Sequence, residues 1–197
     1  MKTRYFFIAI LTFSLFVFSV SAQWTQSDGI YGGYCASVAF NGTDILTGTY
    51  YTGVHKSSNY GTAWTQTSLN WGSANSITAT DGNLVAGIGR YIYKSTDAGT
   101  TWTQTIDIGK NVACLVSDNN RVFAGISNYN GGVYYSLNGG SNWIQSSLQQ
   151  NINTVAIKGD TIFAGDNEFG LFRSVDNGIT WTGTSLGYKS ITALTVS

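Results

Sequence analysis

The sequence predicts an all-β protein built from repeated four-stranded units, and three observations support this class. Of the 197 residues, 24 are Gly, none is Pro, and 14% are aromatic. Glycine mixed with aromatic and small polar residues suits strands and turns better than helices. Five of the six tryptophans recur 38 to 41 residues apart, and a shared polar motif precedes the last four of these five.

Residues 1–22 are predicted to form a signal peptide. Lys2 and Arg4 precede a mainly apolar run over residues 5–20, and small residues at 20–22 suit cleavage after Ala22. A membrane anchor is the alternative, but the run is shorter than the roughly 20 apolar residues that cross a bilayer. We therefore expect a secreted protein, whether extracellular, periplasmic or on the cell surface. Its mature chain, 23–197, should have no membrane span.

Charge and cysteine content narrow the possible partners. Ten Lys and Arg balance ten Asp and Glu, so no basic surplus attracts nucleic acid, which we do not expect as a partner. Cys35 and Cys114 lie in apolar, strand-like runs of two non-neighbouring repeats, so we expect buried free thiols rather than a disulfide. The sequence shows no metal-ligand spacing and no cofactor motif, and we expect neither metal nor cofactor.

The repeats end near Trp24, Trp64, Trp102, Trp143 and Trp181. The motif Ser-x-Asp/Asn-x-Gly-x-x-Trp occupies residues 57–64, 95–102, 136–143 and 174–181. Three short strand-like runs precede each of the last four of these tryptophans. The first run covers residues 36–40, 76–80, 112–116 and 154–157. The second run follows a polar turn and lies within 41–48, 81–87, 118–125 and 158–165. The third run covers 53–57, 91–95, 132–136 and 170–174. A fourth begins at each Trp, and four strands per roughly 40 residues are typical of a β-propeller blade.

The motif resembles the Asp-box, or BNR repeat, of the sialidase-like, sortilin-like and photosystem II assembly-factor-like β-propellers. The resemblance covers nearly all of 23–197, and it implies an architecture that hosts enzymes and non-enzymes alike. We expect the side-chain oxygen of the third box residue to accept backbone N–H groups in the turn. The recurring Gly should adopt a positive φ and the Trp should pack on the neighbouring sheet. These third residues are Asn59, Asp97, Asn138 and Asp176.

Because Asn replaces Asp in two boxes, the shared role needs an acceptor oxygen but no ionisation, which indicates a structural role. Outside the four complete units, residues 23–26 look like the fourth strand of a further blade and 191–196 like the first strand of another. The prediction is therefore about four complete blades with partial blades at both ends, an incomplete ring. We interpret the chain as the N-terminal part of a longer propeller. Self-association through open blade edges and an unusual four-bladed closure are the alternatives.

No catalytic residue is assigned from the sequence. A sialidase-like site needs converging arginines, but Arg90, Arg121 and Arg173 occupy a loop, a turn and a third strand, and should not converge. Three acidic residues, at 107, 166 and 168, lie in loops that share one face, so a glycosidase with paired carboxylates stays open. His55 aligns with aromatic residues of the other units, which predicts a core-facing ring.

Binding residues are predicted on the face where the second strand joins the third and where one blade joins the next. This face collects residues that do not recur between units, so the scaffold does not require them. They are Tyr31, Tyr34, Tyr50, Tyr51, Trp71, Arg90, Asp107, Tyr129, Asp166, Glu168, Phe169 and Tyr188. Aromatic rings beside polar groups suit sugars or extended peptides. Loop aromatics that merely pack over the blade ends are the alternative.

The sequence therefore favours an exported binding or scaffolding module whose ligand is a glycan or a peptide. A fragment of a carbohydrate-cleaving propeller and a purely structural repeat of a large cell-surface protein are the alternative functions.

Overall fold

The computed structural model describes residue 30 and residues 34–196, and this part of the chain forms sixteen strands and no helix. The strands make four antiparallel sheets of four, each in chain order, which we number as blades 1 to 4. Blade 1 contains β1 (Cys35–Asn41), β2 (Asp44–Thr49), β3 (Val54–Ser57) and β4 (Thr65–Gln66). Blade 2 contains β5 (Ala74–Thr80), β6 (Asn83–Ile88), β7 (Tyr91–Ser95) and β8 (Thr103–Asp107). Blade 3 contains β9 (Val112–Asp118), β10 (Arg121–Ile126), β11 (Gly132–Ser136) and β12 (Ile144–Gln145). Blade 4 contains β13 (Ile152–Lys158), β14 (Thr161–Asp166), β15 (Leu171–Ser174) and β16 (Thr182–Gly183).

The predicted fold class is confirmed: the protein is an all-β propeller of four-stranded blades. Each blade is a meander in which every strand pairs with the next, and two-residue turns join the first strand to the second. The signal peptide, the strand at 23–26 and Tyr31 lie outside the described residues.

The hydrophobic core lies between blades rather than within one. Leu46 and Val54 of blade 1 pack against Ile77 and Leu84 of blade 2. The same arrangement recurs between blades 2 and 3 and between blades 3 and 4. Burial of apolar side chains is the main favourable term in folding, so each blade is stabilised largely by its neighbours.

The four blades form an open arc. Ile77, Leu115 and Val155 occupy equivalent positions of the first strands of blades 2 to 4, are 6%, 8% and 7% exposed, and each packs on the preceding blade. The equivalent Val38 of blade 1 is 54% exposed. Within the described residues, no hydrogen bond joins blade 4 to blade 1. The structure therefore agrees with the predicted incomplete ring.

Residues 191–196 do not form the predicted strand. A strand requires a hydrogen-bonded partner, and this segment instead runs alongside blade 4. Ile191 donates its N–H to the Asp166 carbonyl at 2.9 Å, and its side chain lies over Gly165. Ile152 lies over Gly125 in the same way, so the segment occupies the place of a following first strand without being paired.

The expectation of two buried thiols is wrong for Cys35. Both cysteines are free, but Cys35 is exposed at the start of β1, where no preceding blade covers it in the described part of the chain. Cys114 lies between blades 3 and 4, with its sulfur close to Gly125. Burial raises the pKa of the Cys114 thiol to about 11, which keeps it protonated and unreactive at neutral pH.

Candidate functional site

The strand order places two sets of connections at one end of the blades, and we call this surface the loop face. It comprises residues 50–53, 89–90, 127–131 and 167–170 between second and third strands, and 67–73, 108–111, 146–151 and 184–190 after fourth strands. Hydrogen bonds tie the two sets together. Gly53 N–H donates to the Gly72 carbonyl at 3.1 Å, and Lys110 Nζ donates to the carbonyls of Tyr129 and Asn130.

The opposite end carries the four boxes, and a buried serine hydroxyl lies at the centre of each. In blade 2, Ser95 Oγ donates to Asp97 Oδ1 at 2.8 Å and accepts the Gly99 N–H at 2.8 Å. Asp97 Oδ1 also accepts the Thr101 N–H at 2.8 Å. The same three bonds recur in the other boxes. Each box turn is therefore closed by its own side chains.

The Asp boxes differ from the Asn boxes in one further bond. The second carboxylate oxygen of Asp97 accepts the Thr101 hydroxyl at 2.6 Å, and Asp176 accepts the Thr180 hydroxyl in the same way. The Asn boxes have Ala63 and Asn142 at that position, and neither carries a hydroxyl. Asp thus occurs in the boxes that contain Thr: its second carboxylate oxygen accepts a hydrogen bond from the Thr hydroxyl, which the amide nitrogen of Asn could not do.

These hydrogen bonds also set the acidity of the two carboxylates. The Thr101 hydroxyl, followed by the Thr101 N–H and the Ser95 hydroxyl, lowers the pKa of Asp97 to about 2. Thr180 and Ser174 lower the pKa of Asp176 to about 2 in the same way. Bonds to the charged form favour ionisation, so both boxes hold a charged carboxylate down to acidic pH.

The box tryptophans connect neighbouring blades. Trp102, Trp143 and Trp181 each donate Nε1–H to the carbonyl of the box glycine at 2.9 to 3.0 Å. Their rings pack against the clusters that join each blade to the preceding one. The box end of the molecule is thus occupied by scaffold interactions.

On the loop face, an aromatic cluster joins blades 1 and 2. Trp71 lies edge-on to Tyr91 and Tyr93, with ring centroids 6.1 and 6.0 Å apart. Arg90 lies 5.0 Å above the Tyr91 ring and bonds Asp107 Oδ2 at 2.7 Å. Burial raises the pKa of Tyr93. Trp71 itself stays 45% exposed, so this cluster presents an aromatic surface beside an ion pair.

A second feature of the loop face is a cleft of about 350 Å³ between blades 3 and 4. We call it the blade 3–4 pocket. Four of its lining residues are among those predicted to bind a ligand, namely Tyr129, Asp166, Glu168 and Phe169. The other four, Asn130, Gln149, Gln150 and Asn151, carry amide side chains and are not among the residues predicted from the sequence. The one feature of the sequence that could have indicated these four residues is that they are polar and lie in loops of two adjacent blades.

Asp166 is the buried acidic residue of this pocket. It is 0% exposed at the end of β14, and its Oδ1 accepts the N–H groups of Glu168 and Phe169 at 2.6 and 2.5 Å. Its Oδ2 is buried and has no hydrogen-bond partner among the described residues. Buried polar atoms without a partner are rare and costly.

The remaining predicted residues are spread around the loop face. Tyr50 and Tyr51 have ring centroids 6.4 Å apart, and the Tyr50 N–H donates to the carbonyl of the exposed Tyr34 at 3.1 Å. Tyr188 is 84% exposed, and its ring centroid lies 5.6 Å from that of Phe169, on the rim of the blade 3–4 pocket. Predicted residues therefore gather in separate groups rather than in one site.

The residues considered for catalysis are dispersed. Arg90 lies on the loop face, Arg173 is exposed on β15, and Arg121 lies at the box end, where it bonds Asp118 and Asn177 at 2.6 and 3.0 Å. Asp107 is held by Arg90 in blade 2, whereas Asp166 and Glu168 line the pocket between blades 3 and 4.

His55 has a buried ring, as its alignment predicts, and burial lowers its pKa. Among the described residues, no group of three or more His, Cys, Asp or Glu side chains is placed to hold a metal ion. The same part of the chain contains no helix able to span a membrane.

Comparison with solved structures agrees that the protein belongs to the class of β-propellers. An enzyme of glycoside hydrolase family GH74 from Niastella koreensis superposes with a TM-score of 0.63 at 20% identity, covering 77% of this chain and 24% of the enzyme. The GH74 xyloglucanase from Xanthomonas campestris gives 0.57 at 13% identity, covering 79% of this chain and 32% of that one. YCF48 bound to D1 peptide gives 0.57 at 12%, covering 76% of this chain and 54% of YCF48.

At these identities the likeness concerns the fold alone. The chain spans about a quarter of the length of the Niastella enzyme. No family model and no curated protein matches the sequence.

Proposed function

We propose that this chain is an exported binding module in which the propeller is a rigid scaffold and the loop face carries the ligand. Export is inferred from the signal-peptide pattern of residues 1–22. The bonds among Ser, Asp or Asn, and Gly that recur in all four boxes, with the Trp bond present in three of them, support assignment to the Asp-box propellers. Because those bonds occupy the box end, the opposite end is the one available for recognition.

The observation that carries this proposal is the exposure of aromatic side chains on the loop face. Tyr51, Tyr129 and Tyr188 are 70%, 87% and 84% exposed, and Trp71 presents part of its ring beside the Arg90–Asp107 ion pair. These residues do not recur between blades, so blade packing does not account for them. Exposed rings flanked by hydrogen-bonding groups favour a ligand with apolar and polar surfaces, such as a sugar chain or an extended peptide.

Two of the similar structures show that this architecture serves both ligand classes. One is a xyloglucanase, and another is bound to a peptide. We propose the glycan-or-peptide class for this chain on the chemistry of its own loop face, with the two structures as support from fold alone.

A glycan and peptide array tests the proposal directly. We expect a ligand whose binding falls at least tenfold in Trp71→Ala or Tyr51→Ala variants that melt at the wild-type temperature. The matched control is Tyr60→Ala, because Tyr60 is 79% exposed but lies in a box turn at the opposite end. Binding that depends on Tyr60 and not on Trp71 or Tyr51 would contradict the proposal.

A further inference from the structure

The blade 3–4 pocket contains a carboxylate of which the scaffold explains only one oxygen. Asp166 follows a glycine and is the last residue of β14, and the equivalent residues of blades 2 and 3 are Ile88 and Ile126. Both are buried, at 1% and 0% exposure. Two of the other three blades therefore fill this position with an apolar side chain. Blade 1 has the buried Thr49 there, whose hydroxyl accepts the Thr52 N–H, and blade 4 is the one that places a carboxylate there.

One oxygen of the Asp166 carboxylate has a structural role. Oδ1 accepts the two N–H groups of Glu168 and Phe169 and so closes the connection between β14 and β15. An amide oxygen would serve equally well, as Asn59 and Asn138 do in two of the boxes. The turn thus accounts for one oxygen and leaves Oδ2 unexplained.

The pocket lacks a positive charge of its own. Its lining residues include two carboxylates, Asp166 and Glu168, and no Lys, Arg or His. Lys110 lies close to the pocket, and its ammonium is bound by the carbonyls of Tyr129 and Asn130. Among the described residues, no ion pair is formed by Asp166 or Glu168. Burying an unpaired carboxylate oxygen is costly unless a donor reaches it.

We propose that the blade 3–4 pocket binds the guanidinium group of an arginine side chain in a peptide ligand. A guanidinium offers a planar fork of N–H donors for the carboxylates of Asp166 and Glu168 and for the amide residues of the wall, all of which line the pocket. Its flat faces suit the exposed rings at the rim, where Tyr129 lines the cleft and Phe169 lies beside Tyr188. The inference rests on the proposed function, because it names the chemical group that the loop face recognises.

The planar fork is what favours arginine over the other cations. A lysine ammonium or the amine of an amino sugar also carries charge, but each is a compact point donor without the planar fork of a guanidinium. Four amide residues and two carboxylates line the pocket, so it offers several acceptors. A donor group with five N–H bonds in one plane can satisfy more of them at once.

NMR titration of the full chain tests the inference with three probes. They are acetyl-Gly-Arg-Gly-amide, the same peptide with the neutral isostere citrulline, and a glucosamine tetrasaccharide. We expect saturable shifts at residues 166–169 with the arginine peptide and at least tenfold weaker binding of the citrulline peptide. Asp166→Asn should weaken arginine-peptide binding at least tenfold. Asp160→Asn should not, because Asp160 lies in blade 4 with a fully exposed side chain at the box end.

Each alternative outcome decides the question. Equal binding of the citrulline peptide, or unchanged binding by folded Asp166→Asn, would overturn the inference, as would binding of the amino sugar in place of the peptide. If Asp166→Asn does not fold, Glu168→Gln replaces it, with an expected loss of at least threefold, and no loss would overturn the inference. An array ligand that depends on Trp71, combined with no arginine binding, would leave the proposed function intact and refute this inference alone.

Discussion

Replacing the buried serine of one box by alanine should destabilise the whole propeller. Ser95 is 1% exposed, and its hydroxyl accepts the Gly99 N–H at 2.8 Å while it donates to Asp97 Oδ1 at 2.8 Å. Gly99 is buried, at a φ of +85° that few other residues adopt. In Ser95→Ala its N–H therefore loses its acceptor without gaining access to water.

The expected magnitude follows from that single group. Leaving one buried donor unsatisfied costs about 1 to 3 kcal/mol in the free energy of unfolding. The turn also presses against the core, because Gly99 lies over Leu46 of blade 1 and Leu84 of blade 2. Loosening the turn should thus weaken the packing between the two blades. We therefore expect Ser95→Ala to lower the free energy of unfolding by about 2 kcal/mol.

Urea denaturation of the full chain, followed by tryptophan fluorescence, measures this change. The matched control is Ser147→Ala, since Ser147 is exposed and its hydroxyl makes no hydrogen bond within the described residues. A substitution of that kind should stay within about 0.5 kcal/mol. If Ser95→Ala proved as mild as Ser147→Ala, the serine hydroxyl would not be the group that closes the box turn, and the same role could not be assigned to the serines of the other three boxes.

Two further predictions concern the box carboxylates. Asp97→Asn should lower the melting temperature less than Asp97→Ala. In a Thr101→Ala background, Asp97→Asn should lower it no further, because the hydrogen bond from the Thr101 hydroxyl is then already absent. Additive losses in thermal melts of the four variants would contradict this coupling. Stability should also fall as pH drops from about 4 to about 2, since the pKa of Asp97 and of Asp176 is about 2 in the folded protein against 3.8 ordinarily. Their contribution is complete above the unfolded value and is lost on protonation through the folded one. In urea titrations at several pH values, the double variant Asp97→Asn and Asp176→Asn should show a flatter decline than wild type.

The sequence by itself determined the blades and the boxes. Each box bond joins residues at most four positions apart, as between Ser95 and Gly99, so a local motif is enough to specify the turn. The roughly 40-residue repeat specified four strands per blade, and strand order then dictated which loops share an end. The hydrogen bond from the Thr101 hydroxyl to Asp97 is also local in sequence, because Thr is present in the boxes with Asp and absent from the boxes with Asn. The spacing of the motif alone did not predict it.

Only the tertiary structure decided where the exposed and charged groups meet. Tyr129 and Asp166 approach each other across two blades, and no local pattern reports the distance between loops of different blades. The burial of Asp166 follows from how its loop folds back on its own carboxylate, whereas the sequence shows only an acidic residue near a strand end. The prediction of a buried Cys35 was wrong for a related reason, because an apolar strand pattern predicts burial but cannot say whether a neighbouring blade is present to provide it.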